Sequence, residues 1–166
     1  GNLERDLATI LRLAEAHGTD GEVVAAWVAN SKHRKTWARK ALDREVLEDH
    51  PNAIVAVLGL AYKENTHSTK NSPSLTPLDT LTNTDVRVFD PVVDDAQFAA
   101  NITQTGSISD AVKDADVLMV MTPWPEFQPL DLAEIANDMR NHTLIDPFRV
   151  FSPADAKAAG FSYHTL

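Results

Sequence analysis

The first third of the chain has the apolar periodicity of helices. Apolar residues recur at helical spacing over residues 3–17, and Gly18 follows where a helix commonly ends. A second, interrupted apolar stripe runs over residues 21–50 without a proline, and Pro51 disfavours helical backbone in the residue before it. The pattern predicts a short amphipathic helix, then one long helix that can bend, with a domain boundary after residue 50.

Beyond this boundary, short apolar runs alternate with helical or turn segments. Continuous apolar runs are typical of strands that are buried on both faces of a parallel sheet. The predicted strands are Ala53–Leu58, Val86–Phe89, Val117–Met121 and Thr143–Ile145. The predicted helices are Leu75–Leu81, Ile108–Ala115, Leu132–Met139 and Pro153–Ala159. Because strands alternate with helices, the predicted fold is an α/β sandwich with a doubly wound parallel sheet.

The loop at residues 59–73 is the first candidate binding site, because ligands of such sheets lie beyond the carboxyl ends of the strands. Gly59 permits a close turn directly after a strand, and Lys63 and Lys70 offer positive charge to an anionic ligand. Solvated lysines are the commoner case, and the loop lacks both glycine-rich phosphate patterns. Spacing alone therefore leaves both interpretations open.

Three other features lie near predicted strand ends. Ser72 can cap a helix that begins at the following proline, and the free N–H groups of that helix would face the same loop. Trp124 and Phe127 could stack on a base or sugar, although packing is the commoner role of aromatic residues in this position. Asp90, which precedes a proline, is most simply part of a strand-ending turn.

Composition narrows the classes of partner. The 166 residues carry 15 Lys plus Arg against 24 Asp plus Glu, and this formal charge of −9 argues against nucleic acid or an anionic membrane as the main partner. The absence of cysteine excludes disulfides and thiolate chemistry within these residues and favours a reducing compartment, so we expect a cytoplasmic protein. The six histidines have no metal-ligand spacing, and no metal site is expected.

Four motifs in a fixed order resemble one protein family. They are GLAYKENTHSTKNSP, VRVFDP, ISDAVKDADVLMVMTPWPEF and LIDPFRV. Together they resemble the C-terminal domain of the UDP-glucose/GDP-mannose dehydrogenase family. The resemblance implies a Rossmann-like fold, with residues 51–166 as a nucleotide-sugar (UDP)-binding domain and residues 1–50 as part of the helical dimerisation region. An unrelated flavodoxin-like module would explain the strand–helix alternation but not the order of the motifs.

The resemblance assigns roles to individual residues. The aromatic–lysine pair that contacts the nucleotide-sugar substrate in the family matches Tyr62 and Lys63, and the basic residue that approaches NAD matches Lys70. A substrate-binding arginine of the family falls on Phe148, so Arg149, one residue later, is the candidate to replace it.

The nucleophile region matches the family less well. With Asp6 at the position of the water-activating aspartate, the catalytic cysteine of the family falls on Asn2. An amide cannot form the covalent intermediate that links two successive hydride transfers. The open alternatives are a shifted alignment at this end of the chain, another nucleophile, a two-electron oxidation, or a non-catalytic nucleotide-sugar-binding or regulatory homologue.

The resemblance also implies what the whole protein does and what it binds. The parent would be an NAD-dependent UDP-sugar 6-dehydrogenase in polysaccharide biosynthesis, with NAD bound mainly by an N-terminal domain that this fragment lacks, so the fragment alone should be inactive. The expected ligand is a UDP-sugar or GDP-sugar. A homodimer is expected through the long helix over residues 21–50, because its exposed apolar stripe needs a partner.

Overall fold

The computed structural model describes residues 2–70, 72–78, 80–82, 84–94 and 98–166, without the side chains of residues 2, 76 and 77. The chain divides into two compact units, Gly1–Trp37 and Ala38–Leu166. This division falls within a helix and precedes the boundary predicted after residue 50. The assignment of functional domains on either side of residue 50 stays a prediction.

Two helices form the first unit. Helix α1 spans Asn2–His17, and helix α2, Glu22–Leu42, begins in this unit. Glu4 of α1 accepts a hydrogen bond from the Ser31 hydroxyl at 2.8 Å and one from the Lys35 ammonium at 2.5 Å. The bond from Lys35 holds the pKa of Glu4 below its ordinary value. These polar contacts join the two helices, both of which the sequence pattern predicted.

Helical backbone continues beyond the end of α2, over most of the predicted range 21–50. A wide π-helical turn, Asp43–Leu47, continues directly from α2. Arg39 Nε donates to both carboxylate oxygens of Asp43, at 2.9 and 3.0 Å. The apolar residues Ala38, Ala41, Leu42 and Val46 are buried within the second unit. No helix among the described residues combines the length and the apolar character that crossing a bilayer requires.

A six-stranded parallel sheet forms the centre of the second unit. Its strands are β1 Val55–Leu58, β2 Val86–Phe89, β3 Ile102–Gln104, β4 Val117–Val120, β5 Thr143–Ile145 and β6 Ser162–His164. Their order, β3-β2-β1-β4-β5-β6, is that of the doubly wound Rossmann fold. Every residue of β1 and β4, which pair at the centre, is buried. The predicted fold class is confirmed.

Short helices connect the strands. They are α3 Leu75–Leu78, α4 Ile108–Val112, α5 Leu132–Asp138 and α6 Pro153–Ala158, together with a 3-10 turn at Pro125–Phe127. Side chains of Ser107, Asp131 and Ser152 accept backbone N–H groups at the starts of α4, α5 and α6. Each cap satisfies a donor that the first helical turn leaves free.

Three features differ from the prediction. The edge strands β3 and β6 carry polar, partly exposed residues and have no continuous apolar run, so the sequence pattern missed them. Helix α3 begins at Leu75, the start of the predicted range Leu75–Leu81, and the other predicted start, at the proline after Ser72, is wrong. The reason is tertiary, because the buried hydroxyl of Ser72 donates to the carbonyl of Ala61 at 3.5 Å and that of Ser74 donates to the carbonyl of Leu60 at 3.4 Å.

Candidate functional site

The winding of the sheet reverses between β1 and β4, and the loops after these two strands meet there. The hydroxyl of Thr122 donates to the carbonyl of Ala61 at 2.7 Å. Gly59 has a φ of +97°, and a Cβ at this residue would lie 2.5 Å from both the backbone nitrogen and the Cβ of Thr122. Glycine is therefore required for both its conformation and its lack of a side chain. Ligands of doubly wound sheets bind at such a reversal.

Asp90, directly after β2, fixes the same loop from the neighbouring strand. Its Oδ2 accepts hydrogen bonds from the backbone N–H of Leu60 at 2.6 Å, the N–H of Ala61 at 3.0 Å, and the indole N–H of Trp124 at 3.0 Å. Its Oδ1 accepts two N–H groups of its own turn, both at 2.9 Å. One carboxylate thus joins the ends of β1, β2 and β4.

The charge of Asp90 is stabilised although the side chain is only 7% exposed. Burial by itself would raise the pKa of Asp90, but the hydrogen bonds from four backbone N–H groups outweigh burial and hold the pKa below its ordinary value. The sequence indicated a strand-ending turn here, which is correct. The turn motif gave no sign that the carboxylate also anchors the loop of another strand.

Tyr62 and Lys63 follow the anchored backbone and face solvent. Tyr62 is 44% exposed, and Lys63 is exposed as well. The N–H of Tyr62 donates to the carbonyl of Ser68 at 2.8 Å, which closes the next part of the loop. Lys70 lies beyond this closure and is also exposed. The structure therefore places the predicted pair on a short exposed segment next to a fixed one.

A second buried carboxylate shapes the loop after β5. Asp146 accepts the backbone N–H of Phe148 at 3.2 Å and that of Phe151 at 3.0 Å. Arg149 has a φ of +54°, in the left-handed region that residues with a side chain rarely adopt, and it is exposed. Asp146 thus stabilises a strained turn that presents Phe148 and Arg149 at the carboxyl edge.

Tyr163 of β6 also contacts the Asp146 carboxylate that holds the turn after β5. Its hydroxyl lies 3.1 Å from Asp146 Oδ2 and 3.0 Å from the carbonyl oxygen of Phe151, the two acceptors that its proton can reach. Burial and the nearby Asp146 carboxylate raise the pKa of Tyr163 to about 12. The hydroxyl therefore stays a donor at neutral pH. The sequence pattern missed Tyr163 because it missed β6.

The two exposed loops lie on the same edge of the sheet. β4 separates β1 from β5. Since neighbouring strands are about 4.8 Å apart, the loops after β1 and β5 begin about 10 Å from each other. An extended ligand can bridge that distance and reach both Lys63 and Arg149.

Two other candidates from the sequence, Trp124 and Phe127, are buried in the core. Trp124 is 2% exposed and Phe127 is fully buried, so neither ring is available to stack on a ligand. The interpretation of these aromatic residues as packing is confirmed. Trp124 in addition uses its indole N–H to hold Asp90.

The residues matched to the catalytic region belong to the first unit. Asp6 is exposed, and its Oδ1 lies 3.5 Å from Arg5 Nε. Asn2 begins α1, but its side chain lies outside the described part of the chain. The roles assigned to Asp6 and Asn2 stay predictions.

A separate cavity of about 580 Å³ lies beside the starts of α5 and α6. Its lining includes the carboxylates of Asp131 and Asp155, and it does not include Tyr62, Lys63 or Arg149. Because two carboxylates repel an anionic ligand, charge favours the loop with Lys63 over this cavity as a phosphate site.

Comparison with known proteins gives one consistent family. A family model described as "UDP-glucose/GDP-mannose dehydrogenase family, UDP binding domain" matches residues 56–153. The chain is 30% identical to a UDP-glucose 6-dehydrogenase of Pseudomonas aeruginosa over 172 residues, which cover 98% of this chain and 38% of that protein. A UDP-glucose 6-dehydrogenase of Bacillus subtilis is 27% identical, with coverage of 98% and 36%. The chain thus spans less than two-fifths of the length of these relatives.

Solved structures agree with this assignment. A UDP-glucose dehydrogenase from Pyrobaculum islandicum has a TM-score of 0.76 at 21% identity, and the match covers 97% of this chain and 36% of that one. A UDP-D-ManNAc dehydrogenase from Pyrococcus horikoshii has a TM-score of 0.71 at 26% identity, with coverage of 92% and 35%. The match to the Pyrobaculum islandicum structure shows the fold, and the family model over residues 56–153 shows the family. The chain therefore belongs to the UDP-glucose/GDP-mannose dehydrogenase family and contains its UDP-binding domain.

Proposed function

We propose that the carboxyl edge of this sheet binds a nucleotide sugar and that UDP is its nucleotide. The observation that carries the proposal is the loop at residues 59–63, where Asp90 and Thr122 fix the backbone while Tyr62 and Lys63 remain exposed. An ammonium group next to a backbone that is already ordered can meet a phosphate with little loss of loop entropy on binding. Ligand binding at this edge also agrees with the general rule for doubly wound sheets.

Tyr62, Lys63 and Arg149 are the proposed substrate-binding residues. Lys63 would bind as a point charge from the loop after β1, and Arg149 would add a guanidinium from the loop after β5. Arginine can form two parallel hydrogen bonds with a phosphate, so Arg149 could replace the arginine whose position Phe148 occupies. The fixed turn around Asp146 supports this role, because it holds the backbone of Arg149 outward.

We further propose that the whole protein is an NAD-dependent UDP-sugar 6-dehydrogenase. NAD would be held mainly by a domain outside this chain, and it would supply the hydride acceptor for oxidation at C6 of the sugar. Lys70 is exposed, and its positive charge suits the pyrophosphate of NAD, although lysine lacks the paired donors of arginine. Asp6 is the candidate for water activation. Asn2 cannot form a covalent acyl intermediate, which leaves a two-electron oxidation as one form of this proposal.

A homodimer through residues 21–50 is also part of the proposal. Val23 is 61% exposed and Trp27 is 57% exposed on α2. Large apolar side chains with this exposure are typical of a surface that a partner covers. A cytoplasmic location and a role in polysaccharide biosynthesis agree with the family and are proposed on that basis.

Two measurements on one preparation of the whole protein test this function. We expect UDP to bind in a calorimetric titration, and we expect NADH to accumulate when NAD and UDP-glucose or a related UDP-sugar are supplied. UDP binding without turnover of any sugar in a panel would favour a non-catalytic, nucleotide-sugar-binding homologue. Absence of both signals would contradict the nucleotide site itself.

A further inference from the structure

We propose that Asp90 is a positioning residue of the nucleotide site, which acts on Lys63 through the backbone of Leu60 and Ala61. The inference rests on the proposed function, because it concerns the lysine that would bind the nucleotide. Asp90 needs no contact with the ligand in this role. It holds the backbone from which the ligand-binding side chain projects.

The geometry gives Asp90 direct control over this backbone. Both N–H groups that precede Tyr62 and Lys63 point to one oxygen of Asp90, at 2.6 and 3.0 Å. The indole of Trp124 donates to the same oxygen from the loop after β4. Without this acceptor, three buried N–H groups lose their partner. The loop must then move toward water to satisfy them, and Lys63 moves with it.

Two other buried carboxylates of the sheet allow this role to be separated from a general effect on folding. Asp116 lies at the amino edge, where it accepts the N–H of Ile54 and the side-chain amide of Asn141, both at 2.8 Å. Asp146 supports the loop after β5. In the part of the chain that the structure describes, Asp90 is the carboxylate that binds the backbone at residues 60 and 61. Asp116→Asn is therefore a matched control for Asp90→Asn.

A double-mutant cycle on the full 166-residue chain tests the inference by the dissociation constant for UDP. We expect Lys63→Ala and Asp90→Asn each to weaken UDP binding about tenfold, the scale of one charge-assisted hydrogen bond. The UDP affinity of the double variant should fall by far less than the product of the two factors. Once the loop has moved, Lys63 no longer contacts UDP, and its removal costs little further affinity. Asp116→Asn should change the UDP affinity less than about twofold.

The outcomes separate this inference from the proposed function. Unchanged UDP affinity in Lys63→Ala would overturn both. A loss in Lys63→Ala that simply multiplies with the loss in Asp90→Asn, or no loss in Asp90→Asn, would overturn the positioning role alone. An equal loss in Asp116→Asn would also overturn it, because the effect would then be one of general stability.

Trp124→Phe supplies the same test if Asp90→Asn does not fold. This variant removes one donor to Asp90 Oδ2 and keeps an aromatic ring in the buried position. We expect it to weaken UDP binding in the chain with Lys63 and to have no effect in the chain with Lys63→Ala. Equal effects in both backgrounds, or no effect in either, would overturn the inference.

Discussion

Replacing Asp90 with asparagine is expected to lower the free energy of unfolding by about 3 kcal/mol at about pH 7, the scale of lost hydrogen bonds to a buried charge. The carboxylate accepts five N–H donors, and the amide of asparagine would turn its own N–H₂ toward some of them. Urea unfolding of both chains measures the difference. It is expected to be among the largest effects of a single conservative substitution in this sheet.

The stability that Asp90→Asn loses should become smaller at acidic pH. Because the folded-state pKa of Asp90 is below its ordinary value, the ionised carboxylate stabilises the fold at pH values above about 4, the ordinary pKa of aspartate. This stabilisation is lost as the pH falls through the lowered pKa. The difference between the two chains should therefore stay level from about pH 7 to about pH 5 and shrink as the pH falls below about 4. A difference that does not shrink below about pH 4 would contradict the proposed charge state.

Gly59→Ala is expected to destabilise the second unit by about 3 kcal/mol, since it combines the cost of a left-handed conformation with that of an overpacked contact. The backbone φ of +97° is strained for alanine, and the new Cβ would lie 2.5 Å from Thr122, whose backbone leaves little room for movement. The same substitution should also separate the loops after β1 and β4. Urea unfolding again provides the measurement.

Gly160→Ala is the matched control for this steric claim. Gly160 has a similar φ of +86°, but among the described residues its added Cβ would meet only His142 Nδ1, at an ordinary contact distance of 3.7 Å. We expect this control to lose about 1 kcal/mol, the cost of the backbone conformation alone. Equal losses in the two variants would show that the contact between Gly59 and Thr122 is not as close as the structure has it.

The central part of the fold could be predicted from the sequence because its strands are buried on both faces. Such burial leaves continuous apolar runs, as in β1 and β4, and these runs stand out between polar turns. The edge strand β6 has one neighbour and carries Ser162, Tyr163 and His164, so no apolar run marks it. The start of α3 at Leu75 agrees with the predicted range, but the capping pattern at Ser72 begins no helix, because contacts of Ser72 and Ser74 with distant residues prevail over it.

The candidate site could be predicted only in part, for a related reason. The motif that contains Tyr62 and Lys63 is contiguous in sequence and follows a strand, so its position at the carboxyl edge could be inferred. The residues that hold the loops in place are distant in sequence from the residues they contact. Asp90 lies 30 residues from Leu60, and Tyr163 lies 17 residues from Asp146. Neither contact has a local signature, because the sheet alone brings these partners together.

The proposed UDP site lies at the carboxyl edge of the sheet, in the loop that contains Lys63. The most direct measurement is a titration of UDP into the isotopically labelled chain, followed by the shifts of its backbone amide resonances. We expect saturable shifts that are largest at residues 59–63 and at Asp146, Phe148 and Arg149, with little change at Ile54 and Asn141 on the amino edge. Largest shifts at the amino edge, or no shifts at millimolar UDP, would contradict it.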